Sequence, residues 1–286
     1  MSHSTARVLA TQRSAFTDEH RATARSGLGR TSIGLDECTP AQAQLRALLA
    51  LGWFNLGLLS APGFDWPLGP TLNYGTVLSP RYDHLVLIVS AALNVSDQLV
   101  ASPPWSGIPG MRLERVVDWK TVLLRHLPTG ASLEVTERSQ PKAPKPTARV
   151  IRHRSVLMVD QPVTPAEQAK LDSVPPMSEA ARRLLGALAM RAALRDPAGD
   201  WHVHWYYSTL GRPLGRRNQA ERRLWGRDDL WLLEWTSYPY PQDLVAAMTH
   251  PVGGLDGVVA QQVGPTWILT YNGAQLHLYD REASAW

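Results

Sequence analysis

The sequence predicts an α+β protein of two related modules with antiparallel sheets, packed about a pseudo-twofold axis after a flexible basic N-terminal tail. Three observations predict it. A Pro/Lys-rich stretch, SQPKAPKPT at 139–147, divides the 286 residues near their middle. Strand-like stretches in the second half repeat, in the same order, those of the first. Each half opens on a leucine-rich helical stretch and closes on a hairpin pattern. At 44% hydrophobic and 19% charged, the chain has the composition of a globular protein able to bury a core.

Residues 1–38 are polar and carry Arg7, Arg13, Arg21 and Arg25. No apolar run follows Met1, so no secretory signal is read there and a flexible tail is expected. The first module spans 39–138. Thr39-Pro40 is a helix start, a capping hydroxyl followed by proline at the first turn. Leu45, Leu48, Leu49, Leu56 and Leu59 follow the helical period and predict a helix over 41–59. The uncharged stretch 47–64 is short for a membrane span and is broken by Asn55, Gly57, Pro62 and Gly63, so a buried helix is expected and no membrane partner. A buried strand at 84–90, a short helix from Ser96 to Val100, a strand at 112–117 and a hairpin over 122–135 follow.

Residues 139–147 form the linker, because three prolines in nine residues block helix and central strand alike. The second module, 148–286, begins with a strand over 148–160. Ser178 caps a helix running to about Arg195, strands follow at 202–207 and 230–235, and a short helix covers 242–248. The terminal hairpin turns on Asn272-Gly273, residues that tolerate the positive φ of a two-residue turn.

Three of the four matches in the repeat have nearly constant spacing, and the last follows a loop two residues longer in the first copy. Arg81–Val89 matches Arg227–Trp235 at an offset of 146. Asp97–Ala101 matches Gln242–Ala246, and Thr121–Leu124 matches Thr266–Leu269, both at 145. Gly130–Val135 matches Gly273–Leu278. Four matches in one order point to an internal duplication.

Charge is segregated. Residues 178–229 hold ten arginines against six acids, and 230–286 hold Arg281 against five acids. The basic segment interleaves arginine with aromatic residues. Arginine forks suit phosphate, and aromatic faces stack bases. The chain has 11 Trp but only 3 Phe, so its tryptophans make either an unusual core or a stacking surface. The expected nucleic-acid (DNA) site is therefore Arg182, Arg183, Arg191, Arg195, Arg212, Arg216, Arg217, Arg222 and Arg223, with Trp201, Trp205 and Trp225 as stacking platforms. The exposed basic loop 211–219 (GRPLGRRNQ) lies among them.

Little else reads as chemistry. No phosphate loop, dinucleotide fingerprint or nucleophile elbow is present, and no cofactor is expected. The lone Cys38 excludes an intramolecular disulfide and a multi-cysteine zinc site, and fits a reducing, cytoplasmic setting. In Trp201-His202-Val203-His204-Trp205, strand alternation would point His202 and His204 to one side, as a divalent-metal pair would need. The same pattern occurs in single-strand-nicking endonucleases. They also need a third ligand and a tyrosine on a following helix, and no tyrosine here sits in a convincing helix. The sequence thus leans to a non-enzymatic nucleic-acid-binding protein. Two alternatives stand beside it. One is a protein-interaction or assembly component that meets an acidic partner or its own acidic end in a homo-oligomer. The other is a metal-dependent nuclease on His202 and His204.

Overall fold

A computed structural model describes residues 3–55, 66, 68–100, 107–138, 157–205, 222–236 and 238–281. The N-terminal segment differs from the expected tail. It forms α1 (His3–Thr17) and α2 (Arg21–Ser26) and is tied into the body. Arg13 is fully buried. Its guanidinium donates to Glu19, to the Gly27 and Ile33 carbonyls, and to the Pro80 carbonyl at 2.8 Å. Phe16 packs edge-on to His250 and against Trp201. Asp36 pairs with the buried Arg191. A segment that reads as polar and basic is held because its arginine satisfies backbone carbonyls and its one phenylalanine reaches the core.

The first module contains α3 (Pro40–Trp53), α4 (Gly69–Tyr74), β1 (Gly75–Pro80), β2 (His84–Val89), α5 (Ala92–Leu99), β3 (Met111–Asp118), β4 (Thr121–His126) and β5 (Ala131–Thr136). After a connection outside the described residues comes α6 (Pro165–Asp172), opened by a complete Thr164/Glu167 capping box. The second module contains α7 (Glu179–Met190), β6 (Arg222–Arg227), β7 (Leu230–Trp235), α8 (Pro241–Thr249), β8 (Val259–Val263), β9 (Thr266–Tyr271) and β10 (Ala274–Asp280). Thr39 and Ser178 cap α3 and α7 through their hydroxyls, as the sequence predicts. The strand expected at 202–207 is, over its described part, a single bridge from His202 to Arg195.

Two five-stranded sheets repeat one topology. Sheet 1 runs β1-β2-β5-β4-β3 and sheet 2 runs β6-β7-β10-β9-β8. Antiparallel pairing holds within each sheet except at its centre, where β2·β5 and β7·β10 are parallel. The chain crosses from β2 through α5 and the β3–β4 hairpin before β5 enters, and a crossover of that length is what parallel neighbours need. The equivalences β2/β7, β4/β9 and β5/β10 keep the spacings read from sequence. The Asn272-Gly273 turn has φ of 45° and 89°, as a type I′ hairpin requires.

One equivalence shifts. Burial aligns Val95, Ser96 and Leu99 of α5 with Leu244, Val245 and Met248 of α8, an offset of 149 rather than 145. A slip of four residues is about one helical turn and preserves the buried face, so periodicity cannot detect it. Hydrogen bonds fix the true register. Ile108 N–H donates to the Leu99 carbonyl and Met111 N–H to that of Ile108; Leu255 and Val258 repeat both bonds with Met248 and Leu255.

The modules pack through α3 against α7, and the flanking contacts are reciprocal. α3 touches β6, and α7 touches β1. Such reciprocity is the contact pattern of a twofold relation. One contiguous apolar cluster runs through both modules. Trp231 and Trp235, whose counterparts in the first copy are Leu85 and Val89, are 1% and 0% exposed, and Trp267 packs half-buried against the same cluster. No helix of the described residues is long and apolar enough to cross a membrane.

Candidate interaction surface

The residues expected to bind phosphate and bases are dispersed, and four of them are internal. Arg191 is fully buried. It grips Asp36 bidentately at 2.7 and 2.8 Å and donates to the Gly253 and Ala187 carbonyls. Arg222 is 1% exposed, donates to the Trp205 carbonyl and lies over the Trp205 ring. Burial lowers its pKa to about 10. Trp205 packs against Phe54 and Trp235, and Trp201 against Phe16 and His250. These two tryptophans fill the core, so neither presents a face to a base. Arginine is the cation that suits such places, because its planar fork meets several acceptors at once.

The remaining residues lie nearer the surface. Arg182 is half-buried and bridges α7 to α3 through Gln44. Arg183 and Arg195 are exposed, in ion pairs with Glu179 and Asp18. Arg212, Arg216 and Arg217 lie outside the described residues. Nearer the surface, Arg223 and Trp225 are brought together, with the guanidinium 4.1 Å from the ring centroid.

His202 and His204 do share a side, their rings stacked at 5.3 Å. Among the described residues no group of three or more His, Cys, Asp or Glu is placed to hold a metal ion, so the pair is short of a ligand set. Burial, then His202 and Arg222, hold His204 down at about 4. Cys38 is likewise far from an activated thiol, since burial pushes its pKa up.

What the sequence reading missed is the outer face of sheet 2. Leu224, Trp231, Leu233, Leu269, Leu276 and Leu278 point to the core, so their alternates point outward. Cross-strand pairing sets these alternates in rows. One row runs Trp225, Leu232, His277, Ile268 and Gln261 across all five strands. The next runs Arg227, Leu230, Gln275, Thr270 and Val259. Leu230 is 56% exposed and Val259 65%, while Trp225, Leu232 and Ile268 are half-buried. The apolar run of β7 (LWLLEW) carries large residues on both faces, which reads as a strand buried on both sides.

Sheet 1 differs at the equivalent places. Opposite Leu232 in the repeat stands Val86, which with Val77 and Ile88 forms a small buried cluster on that outer face. The β3 edge is also covered, because Leu113 N–H donates to the Leu157 carbonyl and Val159 N–H to that of Leu113. The first sheet is therefore buried on its outer face at β1–β2 and covered at its β3 edge, while Leu123, Arg125 and Glu134 elsewhere on that face are half-buried. In the second, face and edge are open among the described residues. The chain matches no protein-family model, no curated protein and no solved structure.

Proposed function

We propose that this chain is a protein-interaction module, an assembly component that binds a protein partner on the outer face of sheet 2. One observation carries the reading. The row Trp225–Leu232–His277–Ile268 sets three large apolar side chains around one histidine on the outer face of sheet 2, and Leu232 is half-buried where its counterpart Val86 in the sister sheet is buried. Apolar side chains crossing a sheet with a polar rim of Arg227, Gln275 and Thr270 have the composition of an interface. Two exposed arginines of the basic segment are matched by acids, which weakens the case for a phosphate track.

A nucleic-acid reading keeps one specific support. Arg223 stacked on Trp225, with exposed Arg227 two positions further along the strand, is a small aromatic and cationic platform on an open sheet. The two readings separate experimentally. A photo-crosslinking amino acid at Leu230, in the full chain inside the producing cell, is expected to give a discrete nuclease-resistant protein adduct. The same residue at the exposed Asp200 should not. A nuclease-sensitive adduct, with binding that falls steeply as salt rises, would favour nucleic acid instead. An adduct pattern identical at both positions contradicts the interaction reading.

A further inference from the structure

The sheets present four edge strands, and three are guarded. β1 has a bulge between Gly75 and Val77 and ends on Pro80. β3 has two bulges, four charged residues and the covering segment at 157–159. β6 carries Arg222, Arg223 and Arg227. Charge, proline, bulges and covers are the devices by which edge strands avoid pairing with other chains. β8 has none of them. It reads Val-Ala-Gln-Gln-Val, pairs with β9 in unbroken register, and is paired along its other side by no described residue.

We propose that β8 pairs antiparallel with β8 of a second copy of this chain, about a twofold axis at Gln261, joining two five-stranded sheets into one. The strand is complementary to itself. Antiparallel pairing about Gln261 sets Val259 opposite Val263 of the other copy, Ala260 opposite Gln262, and Gln261 opposite its own counterpart. Val259 and Val263 are 65% and 51% exposed and would cover one another. In a twofold ladder a charged residue faces its like or a near neighbour of its like, which is destabilising, and β8 carries no charge. The sister module shows that the equivalent edge β3 can accept a further partner, since Met158 bridges to it at Leu113 through two hydrogen bonds. The geometry of the face continues as well. The row Trp225–Leu232–His277–Ile268 ends at Gln261, so the axis would carry it into the same row of the second copy.

The inference rests on sheet 2 being an interaction surface and assigns its edge to a second copy, leaving the face to another protein. Light scattering on the full chain across a wide concentration range is expected to show a monomer–dimer equilibrium that salt does not weaken. Gln261→Lys sets two like charges at the axis and is expected to raise the dimer Kd about tenfold or more, equivalent to about 1.4 kcal/mol. Gln261→Thr, uncharged and strand-favouring, should retain the dimer. Gln261 is exposed, so circular dichroism should be unchanged in both variants. A monomer at every concentration, or a Gln261→Lys protein that dimerises as well as wild type, overturns the proposal. Neither result touches the Leu230 adduct, whose loss beside an intact dimer would count against the face alone.

Discussion

Arg13, Arg46, Arg112, Arg191 and Arg222 are among the largest fully buried side chains of the protein. Arg112 grips Glu167 at 2.7 and 2.8 Å and donates to the Gln161 and Pro162 carbonyls, fastening α6 to β3. In a sequence, an arginine whose fork meets carbonyls cannot be told from one that meets phosphate. That is why the basic segment was legible as a count and illegible as a site. Beside this cluster His126 is wholly buried, with Nε2 donating to the Pro109 carbonyl at 3.0 Å and Nδ1 accepting from the Thr129 hydroxyl at 2.8 Å. Burial, then Arg112, lowers its pKa from 6.5 to about 4, against the pull of the Pro109 carbonyl. A histidine kept neutral by folding takes up its proton more readily when unfolded. Stability is therefore full above pH 6.5 and falls as pH drops towards 4, by up to about 3 kcal/mol for His126. His204 acts in the same direction and window. Burial would raise the Glu167 pKa, but hydrogen bonds from Arg112, Thr164 and Gly110 hold it at about 2, so its contribution is lost lower, as pH falls from 4.5 to 2. Urea midpoints followed from pH 6.5 to 4 should fall less steeply in His126→Asn than in wild type. An equal slope would remove His126 from this account.

At the scale of elements, the two caps, the Asn272-Gly273 turn and the three paired strand equivalences were legible, because each depends on local chemistry that sequence displays. Of the edge strands, β3 was legible as the strand at 112–117, and β1, β6 and β8 were not. β6 is masked by its charges and Gly226, and β8 by its glutamines. The corner that follows α5 and α8 was also missed, although it repeats as Gly107-Ile108-Pro109-Gly110-Met111 and Gly254-Leu255-Asp256-Gly257-Val258. The second glycine of each has φ of +82°, which favours glycine. The first approaches backbone closely. A Cβ on Gly254 would lie 2.4 Å from the His250 carbonyl oxygen and 2.7 Å from that of Met248. Gly254→Ala must displace this corner, and a loss of about 1–3 kcal/mol is expected in thermal or urea unfolding. A loss of only about 0.3 kcal/mol or less would mean that the corner yields freely.

The whole molecule is a duplication whose halves share topology, register and corner, and differ in what covers their sheets. The N-terminal segment spans both halves, through Arg13 to Pro80 in the first and Phe16 to Trp201 in the second. Sequence could show the repeat, since matching residues recur at matching spacing. It could not show which copy was left open, because Leu157–Val159 reaches β3 across a connection whose path no local pattern encodes. Hydrogen exchange on the full chain, read at β3 and β8 from dilute to concentrated protein, tests this difference most directly. The Leu113 amide should be protected at every concentration, because the Leu157 carbonyl covers it. Outward amides of β8 should exchange freely when dilute and become protected as the protein associates. Protection of β8 in the dilute monomer equal to that of Leu113, or free exchange that concentration leaves unchanged, would contradict an open second sheet that serves assembly.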